Sequence, residues 1–482
     1  MEFETVMGLE VHCELATQTK IFCGCSTAFG APPNTQVCPV CSGMPGTLPV
    51  LNEKVLDFAL RTGVATHCAI APLTRFDRKN YFYPDLPKAY QTSQLYVPLC
   101  RDGFVDMETE AGSKRIRIHE IHMEEDAGKL LHDRRDDRAL VDLNRCGVPL
   151  LEIVTEPDFA TAEEVLAFLT ELRGILQYMG VSDCKMEQGS LRVDVNLSVR
   201  PVGQEKLGTR TEMKNLNSFR AIARAIAYES GRQREVLLAG ETVVQESRRW
   251  DEGRGMTVVM RPKENVWDYG YFPEPDLPVL RVDEARVAAA QQGLPELPAP
   301  KRQRYRRELG LGDYETRLLT EEAALVRIFE GALAVAGDPR ECANWVLGEV
   351  LRLGTETATP PEQMAFDPAR LGQVIRLLTT GKINRSTAKA VFEKVFAENI
   401  DPEAYVREQG LLVVRDAGTL AETVARVVAE HPKAVEEYRA GSAKVFQFLV
   451  GQAMKALKGK ADPALVREAL AALLDEEAEE KL

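Results

Sequence analysis

Six prolines fall between residues 272 and 300, in FPEPDLPVL at 272–280 and LPELPAP at 294–300. A backbone with so many missing amide donors and fixed φ angles continues neither a helix nor an inner strand, so no single core runs through this passage. The texture differs on its two sides. Before it, apolar and polar residues alternate, and loops such as FDRKNYFYPDLPKAYQ at 76–91 are rich in Pro, Asn and Tyr, which predicts a mixed domain with functional loops. After it, Ala, Leu, Glu and Arg recur with a period near 3.6, as in EEAALVRIFEGALAVA from 321, which predicts helices. A second interruption, ENIDPEAYVREQGLLVV at 398–414, separates one helical set from the next. The expected chain is α+β: a mixed-sheet domain over 1–294, an all-helical domain over 295–408 and a small all-helical tail over 409–482. Its 482 residues suit several cores of roughly 100–200 residues each. The closing LLDEEAEEKL reads as a fraying acidic tail.

Hydrophobic residues make up 45% of the chain, enough for such cores, yet they never gather into a membrane-spanning run. The opening MEFETVMGLEVHCEL lacks the basic-then-apolar layout of a secretion signal, so a cytoplasmic protein without membrane contact is expected. Its ten cysteines are then thiols or metal ligands rather than disulfides. A net charge of −13 argues against nucleic-acid binding by general charge attraction and leaves a local basic surface open.

In LEVHCEL at 9–15, Leu9, Val11, Cys13 and Leu15 alternate with Glu10, His12 and Glu14. This is a strand buried on one side, with Glu10 and His12 sharing the polar side. SLRVDVNLSVRP at 190–201 repeats the pattern, setting Arg192, Asp194, Asn196 and Ser198 on one face. GTRTEMKNLNS at 208–218 repeats it less cleanly with Arg210, Glu212 and Lys214. Acids and bases mixed on one sheet face suit a site holding both a metal and a polyanion. In HMEEDAG at 122–128, an extended backbone turns Glu125 opposite to Glu124 and Asp126. The run is either a solvated acidic stretch or part of an oxygen-rich Mg2+ shell with Glu10, His12, Asp194 and Glu212. His12 is the odd member, because imidazole prefers softer metals.

No Walker-type glycine loop and no GxGxxG fingerprint occurs, which disfavours the standard nucleotide folds. Positive groups for a phosphate are offered instead by Arg78, Lys79 and Lys88 in the Tyr- and Pro-rich loop and by Arg192, Arg210 and Lys214. In NLNSFRAIARAIAYE at 215–229, Asn217 or Ser218 opens a helix with Phe219, Ile222 and Ile226 on its buried side.

CGC at 23–25 and CPVC at 38–41 bring Cys23, Cys25, Cys38 and Cys41 into the paired spacing of tetrahedral zinc, and four sulfurs leave no open position for chemistry. A structural zinc knuckle over 23–41 is expected, with four free thiols as the alternative. Near the other end, Lys444 and Lys455 lie about three helical turns apart with Lys458 beside their stripe. Lys and Arg outnumber Asp and Glu nine to seven between 411 and 470, which fits either an RNA backbone contact or an ordinary solvated face.

The segments GLEVHCEL, FDRKNYFYPDLPKAYQ, HMEEDAGK, DLNRCGVPLLEIVTEPD, GSLRVDVNLSVRP, EMKNLNSFRAI, QESRRWDE and DYGYFPEPDLP resemble the B-subunit family of the tRNA-dependent amidotransferases. The resemblance extends through FLVGQAMKALKGKADPALV, similar to the family's YqeY-like tail. It implies a cradle-like kinase and transamidase domain, a helical domain and a tRNA-binding tail. It further implies a heterotrimer completed by two other subunits, the amidase (A) and a small one (C), acting on misacylated tRNA(Gln) and tRNA(Asn). The glutamyl- or aspartyl-tRNA synthetase is a further candidate partner. The implied activity uses ATP and Mg2+ to phosphorylate the side-chain carboxylate of Glu-tRNA(Gln) or Asp-tRNA(Asn), then amidates it with ammonia from the glutaminase subunit. The resemblance places the catalytic metal site at Glu10, His12, Glu125, Asp194 and Glu212, and Lys79 and Lys88 near the ammonia route. Two other readings stay open on the residues alone: a zinc-stabilised tRNA-binding scaffold without ATP chemistry, and a free-standing metal hydrolase.

Overall fold

The computed structural model describes residues 2–133, 138–262, 270–413, 417–439, 443–457, 461 and 463–479. Contacts divide the chain into Met1–Pro300 and Lys301–Leu482.

The first unit carries the strands β1 (Phe3–Glu14), β2 (Ala69–Ile70), β3 (Leu73–Thr74), β4 (Asp77–Asn80), β5 (Tyr90–Ser93), β6 (Cys100–Thr109), β7 (Gly112–Glu125), β8 (Lys129–Asp133), β9 (Arg138–Asp142), β10 (Pro149–Thr155), β11 (Leu191–Pro201), β12 (Thr211–Lys214), β13 (Glu246–Asp251), β14 (Met256–Pro262), β15 (Gly270–Pro273) and β16 (Leu280–Arg281). Nine of them form one sheet in the order β14-β13-β12-β11-β1-β10-β7-β6-β2. β1 is its central strand, antiparallel to β10 on one side and to β11 on the other. β12 and β13 run parallel.

The alternation in LEVHCEL decides which face is which. Met7, Leu9, Val11 and Cys13 are buried, as are Leu191, Val193, Val195 and Leu197 of β11. Helices α1 (Glu53–Ala65), α2 (Ala162–Tyr178) and α3 (Phe219–Leu238) cover that face and share its core. Each buried aliphatic side chain is worth roughly 1.5–3 kcal/mol. A slip of one residue would turn all of them outward, so the register is strongly held. The helices start where the sequence supplies caps: Asn52 accepts from Lys54 N, Thr161 and Glu164 form a capping box, and Ser218 accepts from Ala221 N. Of the two cap candidates for α3, Ser218 is the one used, and Ile222 and Ile226 are buried.

β15, β4 and β5 form a separate three-stranded sheet. Hydrogen bonds tie it to the end of β7, with Thr92 N and the Ser93 hydroxyl donating to the carboxylates of Glu125 and Glu124. The strand expected over 208–218 is shorter, only Thr211–Lys214. The proline passage is not the end of the first core, because Leu294 and Leu297 still pack against it.

The second unit is helical. One core gathers Leu319, Phe329, Trp345, Val374 and Phe392. A separate core gathers Val424, Val427, Leu449, Ala453, Val466 and Leu470 from the helices Ala417–Glu430, Ala443–Ala456 and Pro463–Glu479. The acidic stretch expected to fray is helical as far as Glu479. Lys444 and Lys455 are exposed on one helix, whereas Lys458 lies outside the described residues. Among the described residues no helix is long and apolar enough to cross a membrane.

Candidate functional site

The face of the large sheet opposite the helices is polar, and strand register arranges it in rows. Arg192 stands beside His12, His12 beside Glu152, and Glu152 beside His122. One step along, Asp194 stands beside Glu10, and Glu212 beside Asn196. Two groups of donors result, each with atoms within 4.8 Å of one another: His12, Glu124 and Glu152, and Glu10, Asp194 and Glu212.

In the first group His12 Nε2 lies 3.4 Å from Glu124 and 3.5 Å from Glu152, and His122 Nε2 lies 3.0 Å from Glu152. Burial disfavours both imidazolium ions, but the carboxylates outweigh it, Glu152 foremost, and raise His12 to about 9 and His122 to about 10. The two carboxyls part company. Burial and the Glu152 charge push Glu124 up, whereas the two histidines overcome burial at Glu152 and hold it well below the usual range. Such a group fits a divalent cation once a histidine gives up its proton.

In the second group the Lys214 ammonium lies 2.6 Å from Asp194 and 3.2 Å from Glu212. Asn196 Nδ2 donates to Glu10 at 2.9 Å and Ser247 Oγ to Glu212 at 2.6 Å. Burial raises the Glu10 carboxyl, with Glu152 adding to it. Burial opposes the charge on Lys214, yet Asp194 and Glu212 raise it well above an ordinary lysine.

The five residues expected in one metal shell are therefore not together. Glu10, Asp194 and Glu212 meet, His12 belongs to the neighbouring group, and Glu125 points away from both. Glu125 instead binds the Lys88 ammonium and the Thr92 amide. The reason is the alternation itself: the strand that sends Glu124 to the polar face must send Glu125 to the other.

The basic residues divide in the same way. Lys79 faces Glu124 and Glu152, which raise it to about 12 against the cost of burial. Its neighbour Arg78 points oppositely and is committed to Glu274 through bonds of 2.7 and 2.8 Å and to Asp276 at 2.9 Å. That pairing makes Arg78 a bridge between β4 and the proline passage. Arg192 lies on the polar face, where its two terminal nitrogens hold Asp126 at 2.8 and 3.2 Å. Arg210 is exposed just before β12.

Cys23, Cys25, Cys38 and Cys41 place four sulfurs within 4.8 Å, with Cys38 and Cys41 3.9 Å apart. Tetrahedral zinc spaces its sulfurs by about 3.8 Å. The Cys23 thiol, the Cys38 amide and Lys20 overcome burial at Cys41 and bring it to about 4, while Cys23 is raised. Lys20 is fully buried, and its ammonium reaches Cys41 Sγ at 3.5 Å and the carbonyls of Gln36 at 2.8 Å and Leu143 at 3.2 Å. All ten cysteines are free, so no disulfide competes with a metal here. A cavity of about 210 Å3 opens between this knuckle and the Lys88–Glu125 pair.

Sequence reasoning missed Glu152 and left Glu124 without a place. The available signal was a single carboxylate inside the otherwise apolar run VPLLEIV, where a buried charge needs a partner.

The family model described as the GatB/GatE catalytic domain matches residues 5–288, and that described as the GatB domain matches 327–474. Relatives are similar along almost the whole chain. The B subunit of the aspartyl/glutamyl-tRNA(Asn/Gln) amidotransferase of Caldicellulosiruptor saccharolyticus is 53% identical over 98% of either chain. The same-named proteins of Agathobacter rectalis and Lachnoclostridium phytofermentans are 53% and 52% identical over 98% of this chain and 99% of theirs. The chain belongs to the family of aspartyl/glutamyl-tRNA(Asn/Gln) amidotransferase B subunits.

Proposed function

We propose that this chain is the part of a tRNA-dependent amidotransferase that activates the side-chain carboxylate of Glu-tRNA(Gln) or Asp-tRNA(Asn) and then amidates it. The observation that carries this reading is the polar sheet face, with two groups of carboxylates flanked by Lys79, Lys214 and Arg192. A carboxylate resists ammonia because it is negative and lacks a leaving group. Transfer of the terminal phosphoryl group of ATP gives an acyl phosphate and ADP, and ammonia then displaces phosphate to form the amide. These carboxylates would hold Mg2+, which would supply charge neutralisation for the polyphosphate. His12, Glu124 and Glu152 on one side, and Glu10, Asp194 and Glu212 on the other, are the residues proposed to hold it.

Lys79 and Arg192 orient anionic groups over the face, and the buried core beneath keeps the strands rigid so that the carboxylates need no rearrangement. Lys88 and Glu125 line the neighbouring cavity, which is the proposed route for ammonia from a separate amidase chain. The four cysteines are proposed to hold zinc as a structural brace with no part in the reaction, since a closed sulfur shell offers no open position. Division at 294 and 408 makes 1–294 the catalytic domain, 295–408 a helical domain and 409–482 the tRNA-binding tail, in a cytoplasmic complex with an amidase and a small third subunit.

The test is acyl-tRNA-dependent ATP cleavage and amide formation with added ammonia in the reconstituted complex, comparing wild type with Asp194→Ala and Glu124→Ala. Loss of both signals with tRNA binding retained is expected. Unchanged turnover in both variants would move the active site off this face.

A further inference from the structure

The two carboxylate groups on the polar face hold different internal cations. In the first, the positive charge is shared by His12 and His122 against Glu124 and Glu152 and by the Lys79 ammonium facing the same carboxylates. In the second it resides on Lys214, whose ammonium contacts Asp194 and Glu212. An ammonium among carboxylates keeps its proton at neutral pH and can only leave by moving bodily.

The geometry allows that movement. β12 ends at Lys214, and the next residue, Asn215, adopts a left-handed conformation with φ of 60° while its side chain donates to the Trp250 carbonyl. The backbone is thereby fixed and the four-carbon stem is the mobile part. About a third of the Lys214 side chain is exposed on the open face. Two of the three carboxylates do not depend on the lysine for their placement, because Glu10 is held by Asn196 and Glu212 by Ser247, both neutral donors, while Asp194 is paired with the ammonium itself. Glu10 and Glu212 therefore keep their places when the ammonium withdraws, and Asp194 is left with its charge open to a new cation.

A divalent ion bonded to these oxygens would stand almost in contact with the ammonium, and two cations at that distance repel. We propose that Lys214 is the resident cation of the Glu10–Asp194–Glu212 group, closing it to a divalent metal until a polyphosphate draws the ammonium away. The polyphosphate half of this statement rests on the ATP-dependent function proposed above. The exclusion half does not. Lys214 then changes partners once, from carboxylate to phosphate, and the same event opens the second metal position beside the substrate.

The experiment is Mn2+ binding to the full chain without nucleotide, followed by electron paramagnetic resonance of the free ion. Wild type is expected to take up one ion fewer than Lys214→Met, which keeps the stem and removes the charge. Lys214→Gln serves as the second variant, with circular dichroism confirming that each is folded. Glu152→Gln, which weakens the first group, is expected to leave the difference between the two lysine states intact. A methylene-bridged, non-cleavable ATP analogue should then tighten the extra Mn2+ position of wild type at least tenfold, and that of Lys214→Met much less. Equal Mn2+ uptake by wild type and both lysine variants would overturn the proposal. If the variants gain an ion but the analogue does not bind, the ATP reading fails while the exclusion by Lys214 stands.

Discussion

Arg78 carries the prediction that most directly separates a structural from a phosphate-binding role. Its guanidinium makes two bonds to Glu274, whose side chain is 1% exposed, and a third to Asp276. Replacing Arg78 with Ala strands a buried carboxylate, a loss of about 3–5 kcal/mol. Glu274 keeps one donor, the Asp276 amide at 2.9 Å, which places the expected loss toward the lower end of that range. Replacing both partners, Arg78→Leu with Glu274→Leu, removes the stranded charge and should cost less than either single change. The assay is urea unfolding of the full chain for Arg78→Ala and for the Leu double-mutant cycle, with nucleotide binding measured on the same five proteins. A variant Arg78→Ala as stable as wild type, within about 0.5 kcal/mol, but unable to bind polyphosphate, would refute the argument. Arg78 would then be a ligand after all.

The first carboxylate group makes metal affinity depend on pH. With His12 at about 9, only about one chain in a hundred has it neutral at pH 7. Mn2+ affinity should rise roughly tenfold per pH unit up to about 9 and then level off, and calorimetry showing no such slope would remove His12 from the ligands. In the metal-free chain the same shift has the opposite sign for folding. Its raised value stabilises the fold fully below about 6.5, and that contribution is lost as pH rises through about 9, a trend that chemical unfolding at several pH values would expose. Glu124→Gln should weaken Mn2+ binding by about tenfold or more, whereas Glu125→Gln should leave it within about twofold, because only Glu124 shares a face with His12. The reverse order would mean that β7 pairs in the other register. Cys41→Ser should abolish zinc retention, seen by elemental analysis, and lower the melting temperature without altering Mn2+ uptake by the carboxylates.

The sequence by itself determined the faces of the large sheet and the change from strands to helices. Strict alternation in β1 and β11 announced which residues would be buried, because side-chain direction in a strand is a local property with period two. The same rule separated Glu124 from Glu125 before any neighbour was known. The proline passage and the change of period marked the passage from sheet to helices, and paired cysteine spacing marked the knuckle, since turns of that kind are fixed within a few residues.

Tertiary structure alone decided who meets whom. Glu152 joins His12 only because β10 lies antiparallel beside β1 in one register, a fact that residues 140 positions apart do not carry. Arg78 and Lys79, alike as basic residues in one loop, were given opposite employment by Glu274 on one side of their strand and Glu124 on the other. Lys214 became an internal cation through the pairing of β11 with β12. Local chemistry sets which way a side chain points. The charge or metal it points at depends on long-range strand pairing, which is set by burial of the opposite face.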